Sequence, residues 1–167
     1  MRREGAFGPL FCYLYSMLKI QKIVCPVDFS NCSQQALNYA QELAKQFGAE
    51  LSIVHAYEDP SAYVTPMPMS GYVGPGAEML LALRKQLETR LEQCRKEVEA
   101  SGVRVRAELL EGAPYRVVLD WAKEYGADMI VVGTHGHTGL THALLGSVTE
   151  RIVRMASCPV LTIRTPE

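Results

Sequence analysis

Short apolar runs alternate with stretches of helical spacing from residue 22 to residue 163. That alternation restricts the fold more than any other feature. Strands separated by helices cannot close as hairpins, so they pair in parallel, with helices covering the sheet. Lys22 to Val27 is an apolar run ending at Asp28, read as a buried strand. Ser30 or Asn31 then offers a helix cap. Ala36, Leu37, Ala40, Leu43, Ala44 and Phe47 recur at helical spacing before a stop at Gly48. Leu51 to Ala56 is a second strand. From Glu78 to Ser101 a stripe of Leu80, Leu83, Leu87, Leu91, Cys94 and Val98 marks a second helix. Val103, Val105, Ala107 and Leu109 alternate with charged residues, the pattern of a half-exposed edge strand. Pro114 opens a third helix, whose buried face is Val118, Trp121, Ala122 and Tyr125, with Gly126 as its cap. Asp128 to Val132 is apolar enough to be central. A fourth helix runs from about Ser147 to Ala156, and Pro159 to Ile163 is the last strand, also at an edge. The order βαβαβαβαβ implies a doubly wound, Rossmann-like parallel sheet. Ligands of such sheets sit at the carboxyl ends of the strands, where the winding reverses.

A chain of 167 residues suits one domain. A net charge of -1 shows no basic excess, which argues against a nucleic-acid partner. Five cysteines, an odd number without a C-x-x-C pair, argue against a disulfide framework or a structural zinc site. They suit a reducing, cytoplasmic setting. Residues 1–19 carry a short, interrupted apolar run, too short to span a bilayer, and read as a dispensable leader before a domain at 20–165. No membrane association is expected. Residues 58–77 are broken by prolines and glycines into a long loop, which suits equally a lid over a ligand, closing with Met67 and Met69, or a disordered connection.

The segment from Gly133 to Ser147 carries the chemistry. It leaves an apolar strand, passes Gly133, Gly136, Gly139 and Gly146, and enters a helix. Glycines there let the backbone turn with positive φ and approach a ligand closely. A helix start offers free N–H groups and partial positive charge to an anion. Ser147 and Glu150 form a capping-box pattern, which would begin the helix at Ser147. A Walker-type phosphate loop is absent from the sequence.

The spacing Gly133-x2-Gly136-x9-Gly146-Ser147 is similar to the ATP-binding signature of the universal stress protein family. The surrounding phrases KIVCPVDFS, IVHAYED, DMIVVGTHG, LLGSVTERIV and CPVLTIR resemble the family too, from Lys22 to Arg164. The resemblance implies an α/β fold of the adenine nucleotide alpha hydrolase-like kind, with five parallel strands in the order 3-2-1-4-5. It implies that Asp28 meets the ribose hydroxyls, helped by Gly133, and that the backbone of Ala56 meets the adenine edge. Val132 joins the nucleotide-binding set, and Gly136, Gly146, Ser147 and Val148 hold the phosphates. The implied ligand is ATP, with AMP or another adenine nucleotide as alternatives and Mg2+ as a companion ion. It also implies a homodimer through the last strand, Val160 to Ile163, and a protein partner of unknown kind.

Plainer roles stand beside these. Asp28 suits a cap on the first helix, and the glycines suit tight turns. His135, His137 and His142 have alternate spacing that can ligate a metal, but without a nearby cysteine or carboxylate cluster they more readily reach solvent or a phosphate. His55 reads as structural, and Cys25 and Cys158 as packed. Cys32, at a helix start near the site, is a candidate for a lowered thiol pKa. The function read from these residues is a stress-response regulator that holds an adenine nucleotide with little or no hydrolysis. A nucleotide-free dimeric interaction module and a slow ATPase are the alternatives.

Overall fold

The computed structural model describes residues 19–58, 76–136 and 145–164. Its elements are β1 (Lys22–Pro26), α1 (Asn31–Phe47), β2 (Glu50–Tyr57), α2 (Ala77–Ala100), β3 (Val105–Glu111), α3 (Pro114–Tyr125), β4 (Met129–Gly133), α4 (Ser147–Met155) and β5 (Val160–Ile163). The strands form one parallel sheet in the order β3-β2-β1-β4-β5, as expected. The leader up to residue 18, the Met67–Met69 lid, His137 and His142 lie outside the described residues.

The two faces of the sheet bury different residues of each strand, as a period of two requires. Ile23, Cys25, Leu51, Ile53 and Val131 face α1 and α2 in one core cluster. Val24, Val54, Ile130 and Val132 face α3 and α4 in the other. β1 is paired on both sides, with β2 and β4, so its apolar run is fully buried. β3 and β5 are the edges.

Helix ends follow local chemistry. Ser30 caps α1, its Oγ accepting from the Ser33 N–H at 3.2 Å. Gly48 and Gly126 end α1 and α3 in the left-handed conformation, at φ 64° and 71°. The stripe along α2 is only partly used. Leu91 and Val98 are buried, whereas Leu83 is exposed, because the sheet lies under the carboxyl-terminal half of the helix. At the amino ends of the strands, the Tyr125 ring stacks on Trp121 at 6.0 Å and lies under the Lys22 and Arg106 cations at 4.8 and 4.9 Å. No helix among the described residues is long and apolar enough to cross a membrane.

Candidate functional site

The winding reverses between β1 and β4, and a crevice opens past their carboxyl ends. On the β1 side the chain leaves the sheet at Val27, whose N–H donates to Val54 O at 2.8 Å. Asp28 follows. Its Oδ1 accepts from the Ser30 N–H at 2.9 Å, and its own N–H donates to Ser33 Oγ at 3.3 Å. Asp28 therefore braces the loop into α1, the plainer role considered for it, while its Oδ2 lies against Gly136.

On the β4 side three hydrogen bonds pin the two ends of the glycine segment. The Thr134 N–H donates to Ile163 O at 2.8 Å, and the Gly146 N–H donates to Thr134 O at 2.7 Å. Thr149 Oγ1 donates to Gly133 O at 2.8 Å. α4 is thereby held with its first turn over the end of β4.

The capping box does not form. Gly146 is the N-cap, in extended conformation at φ -67° and ψ 153°, and Ser147 is already the first helical residue. Gly146 is fixed there by its bond to Thr134, so the Ser147 side chain sits one position too late to cap. No side chain among the described residues caps α4. The first intrahelical bond runs from the Glu150 N–H to Gly146 O. The N–H groups of Ser147, Val148 and Thr149 thus have no partner within the helix and present its positive end.

Gly133, Gly136 and Gly146 are also not there for positive φ, a correction to the sequence expectation. The described glycines with positive φ are Gly48, Gly102, Gly112 and Gly126. The site glycines are required by close approach. A Cβ on Gly133 would come 2.9 Å from Cys32 Sγ and 3.1 Å from the Cys32 carbonyl atoms. One on Gly136 would collide with the Asp28 carboxylate, and one on Gly146 would press on Thr134 O at 3.3 Å.

Around these groups lies a cleft of about 280 Å³, close to the lower end of small-molecule sites. Asp28, Ala56, Val132, Gly133, Gly136, Gly146, Ser147 and Val148 all line it. The structure thus gathers the whole set expected to meet the nucleotide around one space. Pro26, Val27, Ser33, Pro114, Val118, His135 and Thr149 line it as well. Of these only His135 had drawn attention. Pro114 and Val118 carry the usable signal: a helix that starts right after a strand puts its first turn at the ligand edge of the sheet.

The lining is uneven in character. Pro26, Val27, Pro114, Val118 and Val132 make an apolar wall. Tyr57 O accepts from the Gly112 N–H on the β3 side, so strand alternation turns the Ala56 amide groups toward β1, which has already ended. Asp28 is the acid among the described lining residues, and none of them is lysine or arginine. His135 Nδ1 lies 3.0 Å from Thr134 Oγ1. Among the described residues no three His, Cys, Asp or Glu side chains gather as metal ligands.

Cys32 does not fit the reactive role considered for it. Its thiol is buried under α1, donates to Ile163 O at 3.5 Å and packs on Gly133. His55 is structural, buried with Nδ1 2.7 Å from Val27 O. Cys25 is fully buried, which pushes its thiol pKa well up.

The model of the universal stress protein family matches residues 19–164. The chain belongs to that family. A universal stress protein of Methanocaldococcus jannaschii is 36% identical over 149 residues, covering 88% of this chain and 84% of its own. Among solved structures, universal stress protein UspA from Lactobacillus plantarum aligns with a TM-score of 0.74 at 29% identity, over 87% of this chain and 99% of its own. A universal stress protein solved in complex with cAMP aligns with a TM-score of 0.64 at 25% identity, over 89% of this chain and 99% of its own.

Proposed function

We propose that this universal stress protein binds an adenine nucleotide, ATP foremost, in the cleft between β1 and β4, and holds it with little or no hydrolysis. The observation that carries the reading is the uncapped first turn of α4. Its N–H groups open on a cleft where a Cβ on Gly136 would strike the Asp28 carboxylate and one on Gly146 would press on Thr134 O. Phosphate oxygens are the ligands such a cradle suits, through backbone donors and the helix dipole. Across the cleft, Asp28 is placed for the ribose hydroxyls. The apolar wall of Val27, Val118 and Val132 takes the base, with the Ala56 backbone at its edge. The relative solved with cAMP supports an adenine ligand. AMP or another adenine nucleotide would use the same contacts.

Mg2+ bound with the nucleotide would neutralise phosphate charge, with Asp28 the carboxylate on hand among the described lining residues. Slow chemistry follows from the side chains. Phosphoryl transfer needs cationic groups on the developing charge, and the described lining has no lysine or arginine to supply them.

The function is then regulatory: occupancy of the cleft alters what a partner meets. The chain is also proposed to pair with a second copy through β5. Among the described residues that strand is bonded on one side only, by β4, and it carries an exposed Leu161, with Val153 and Met155 exposed on the neighbouring α4. Sedimentation should show a dimer that Leu161→Lys weakens; an unchanged dimer would place the interface elsewhere.

The direct test is mass spectrometry of nucleotide released from gently purified protein. Adenine nucleotide released by the wild type and absent from Asp28→Ala is the expected result. An empty wild type that also ignores added ATP would favour the interaction module.

A further inference from the structure

Asp28 stands on a strained turn, and two of the residues that hold the turn, His55 and Arg90, lie outside the cleft. Phe29 has φ 65°, the left-handed region, and is the described non-glycine residue with positive φ. A bulky side chain avoids that conformation, so surrounding contacts must impose it. Three do so. Val27, two residues earlier, is bonded through its N–H to Val54 and through its carbonyl to His55. The Phe29 ring packs on the His55 ring at 4.5 Å. The Arg90 guanidinium lies 4.2 Å from the centroid of the same ring. Arg90 belongs to α2, a helix on which Arg84 and Arg95 pair with glutamates. Arg90 forms no ion pair among the described residues, so the Phe29 ring is its partner.

The turn matters because it aims the carboxylate. With Phe29 at positive φ, the Ser30 N–H points back to Asp28 Oδ1, and Oδ2 is left against Gly136 at the cleft. Relaxing Phe29 to negative φ would reorient the 29–30 peptide, withdraw that N–H and change the direction in which the carboxylate is held.

We propose that Phe29 and Arg90 are positioning residues that hold the Asp28 carboxylate in the orientation that recognises the ribose hydroxyls of the nucleotide. This rests on the reading of the cleft given above. Neither residue lines the cleft, and neither needs to touch the ligand. Their role is to keep a costly backbone conformation populated before the ligand arrives, so that binding does not have to induce it. Phe29→Ala should separate the two demands on the position. Alanine keeps the steric penalty at positive φ. It removes the ring by which α2 and β2 hold the turn, so the turn has nothing left to impose it.

The test compares ATP with 2′,3′-dideoxy-ATP, which lacks both hydroxyls, by calorimetry on wild type, Phe29→Ala and Arg90→Gln. Thermal melting checks that each variant is folded. The wild type should prefer ATP. In both variants that preference should shrink by about fivefold to tenfold, the worth of a misaligned hydrogen bond to a charged group, while dideoxy-ATP affinity holds. A preference unchanged in the variants, or equal losses for both nucleotides, would overturn the positioning role alone. A wild type that binds both nucleotides equally would overturn the ribose contact of Asp28 and the positioning role with it. A wild type that binds neither would overturn the reading of the cleft as well.

Discussion

A methyl group added at Gly133 meets the backbone of Cys32, whereas one added at Gly136 meets the end of a side chain, the Asp28 carboxylate. The two substitutions should therefore fail differently. Gly133→Ala forces α1 away from β4 and should cost about 1–3 kcal/mol of stability by urea denaturation. Gly136→Ala needs only a carboxylate to swing aside, so stability should fall by less than about 1 kcal/mol. That swing disturbs the group proposed to meet the ribose, and nucleotide affinity should drop by about tenfold or more. Similar losses in both assays for both variants would contradict the distinction. The glycine spacing was legible in the sequence, but its cause was not. Positive φ is the usual reason for a glycine, and only the packed structure reveals which neighbour a Cβ would strike. The reverse holds at Phe29, where a bulky side chain hid a left-handed turn. Tyr125 makes a different prediction. Burial, helped by the nearby Glu50 charge, pushes its phenol from 10.0 to about 12. Its buried hydroxyl has no hydrogen-bond partner among the described residues. The folded state thus keeps the proton that the unfolded chain releases near its ordinary pKa. The contribution is complete below about pH 10 and lost as pH rises toward about 12. Tyr125→Phe should flatten that alkaline loss and be neutral, or stabilising by up to about 1 kcal/mol, at neutral pH. An alkaline profile that stays unchanged in the variant would contradict it.

Among the elements, α4 departs most from its sequence pattern. Ser-x-x-Glu is a sound capping signal, and α4 does begin at Ser147 as expected, yet the tertiary bond from Gly146 to Thr134 makes Gly146 the N-cap in place of Ser147. Thr149, the middle of that pattern in the sequence, became the tie to β4 instead. Thr149→Val keeps the shape and leaves Gly133 O without that donor, and should cost about 1–2 kcal/mol of stability. Urea denaturation that finds no loss would show that α4 is anchored by packing alone. α2 was over-read for a simpler reason. Its leucine stripe is continuous in sequence, but a helix of 24 residues is about 36 Å long and outruns the 7-residue strand beside it. Periodicity tells which side of a helix faces inward and says nothing of how far the sheet extends beneath it.

For the whole molecule, alternation of strand and helix was enough to fix parallel pairing and two covered faces, because few connections are possible between parallel strands. The order β3-β2-β1-β4-β5 came with the family resemblance, and it agrees with the residue-level reading of which strands lie at edges. The cleft then follows from topology. Asp28 and Gly133, 105 positions apart by their numbering, meet because β1 and β4 are neighbours and both end there. A site made by strand order in this way should bind its ligand only in the folded protein, so saturating nucleotide should raise the melting temperature by mass action. Isothermal titration calorimetry of ATP into the wild type and Gly136→Ala tests the central claim most directly. The account predicts saturable binding at one site per chain, weakened about tenfold or more in the variant. No heat with ATP or AMP at millimolar concentration, or equal affinity in both proteins, would contradict it.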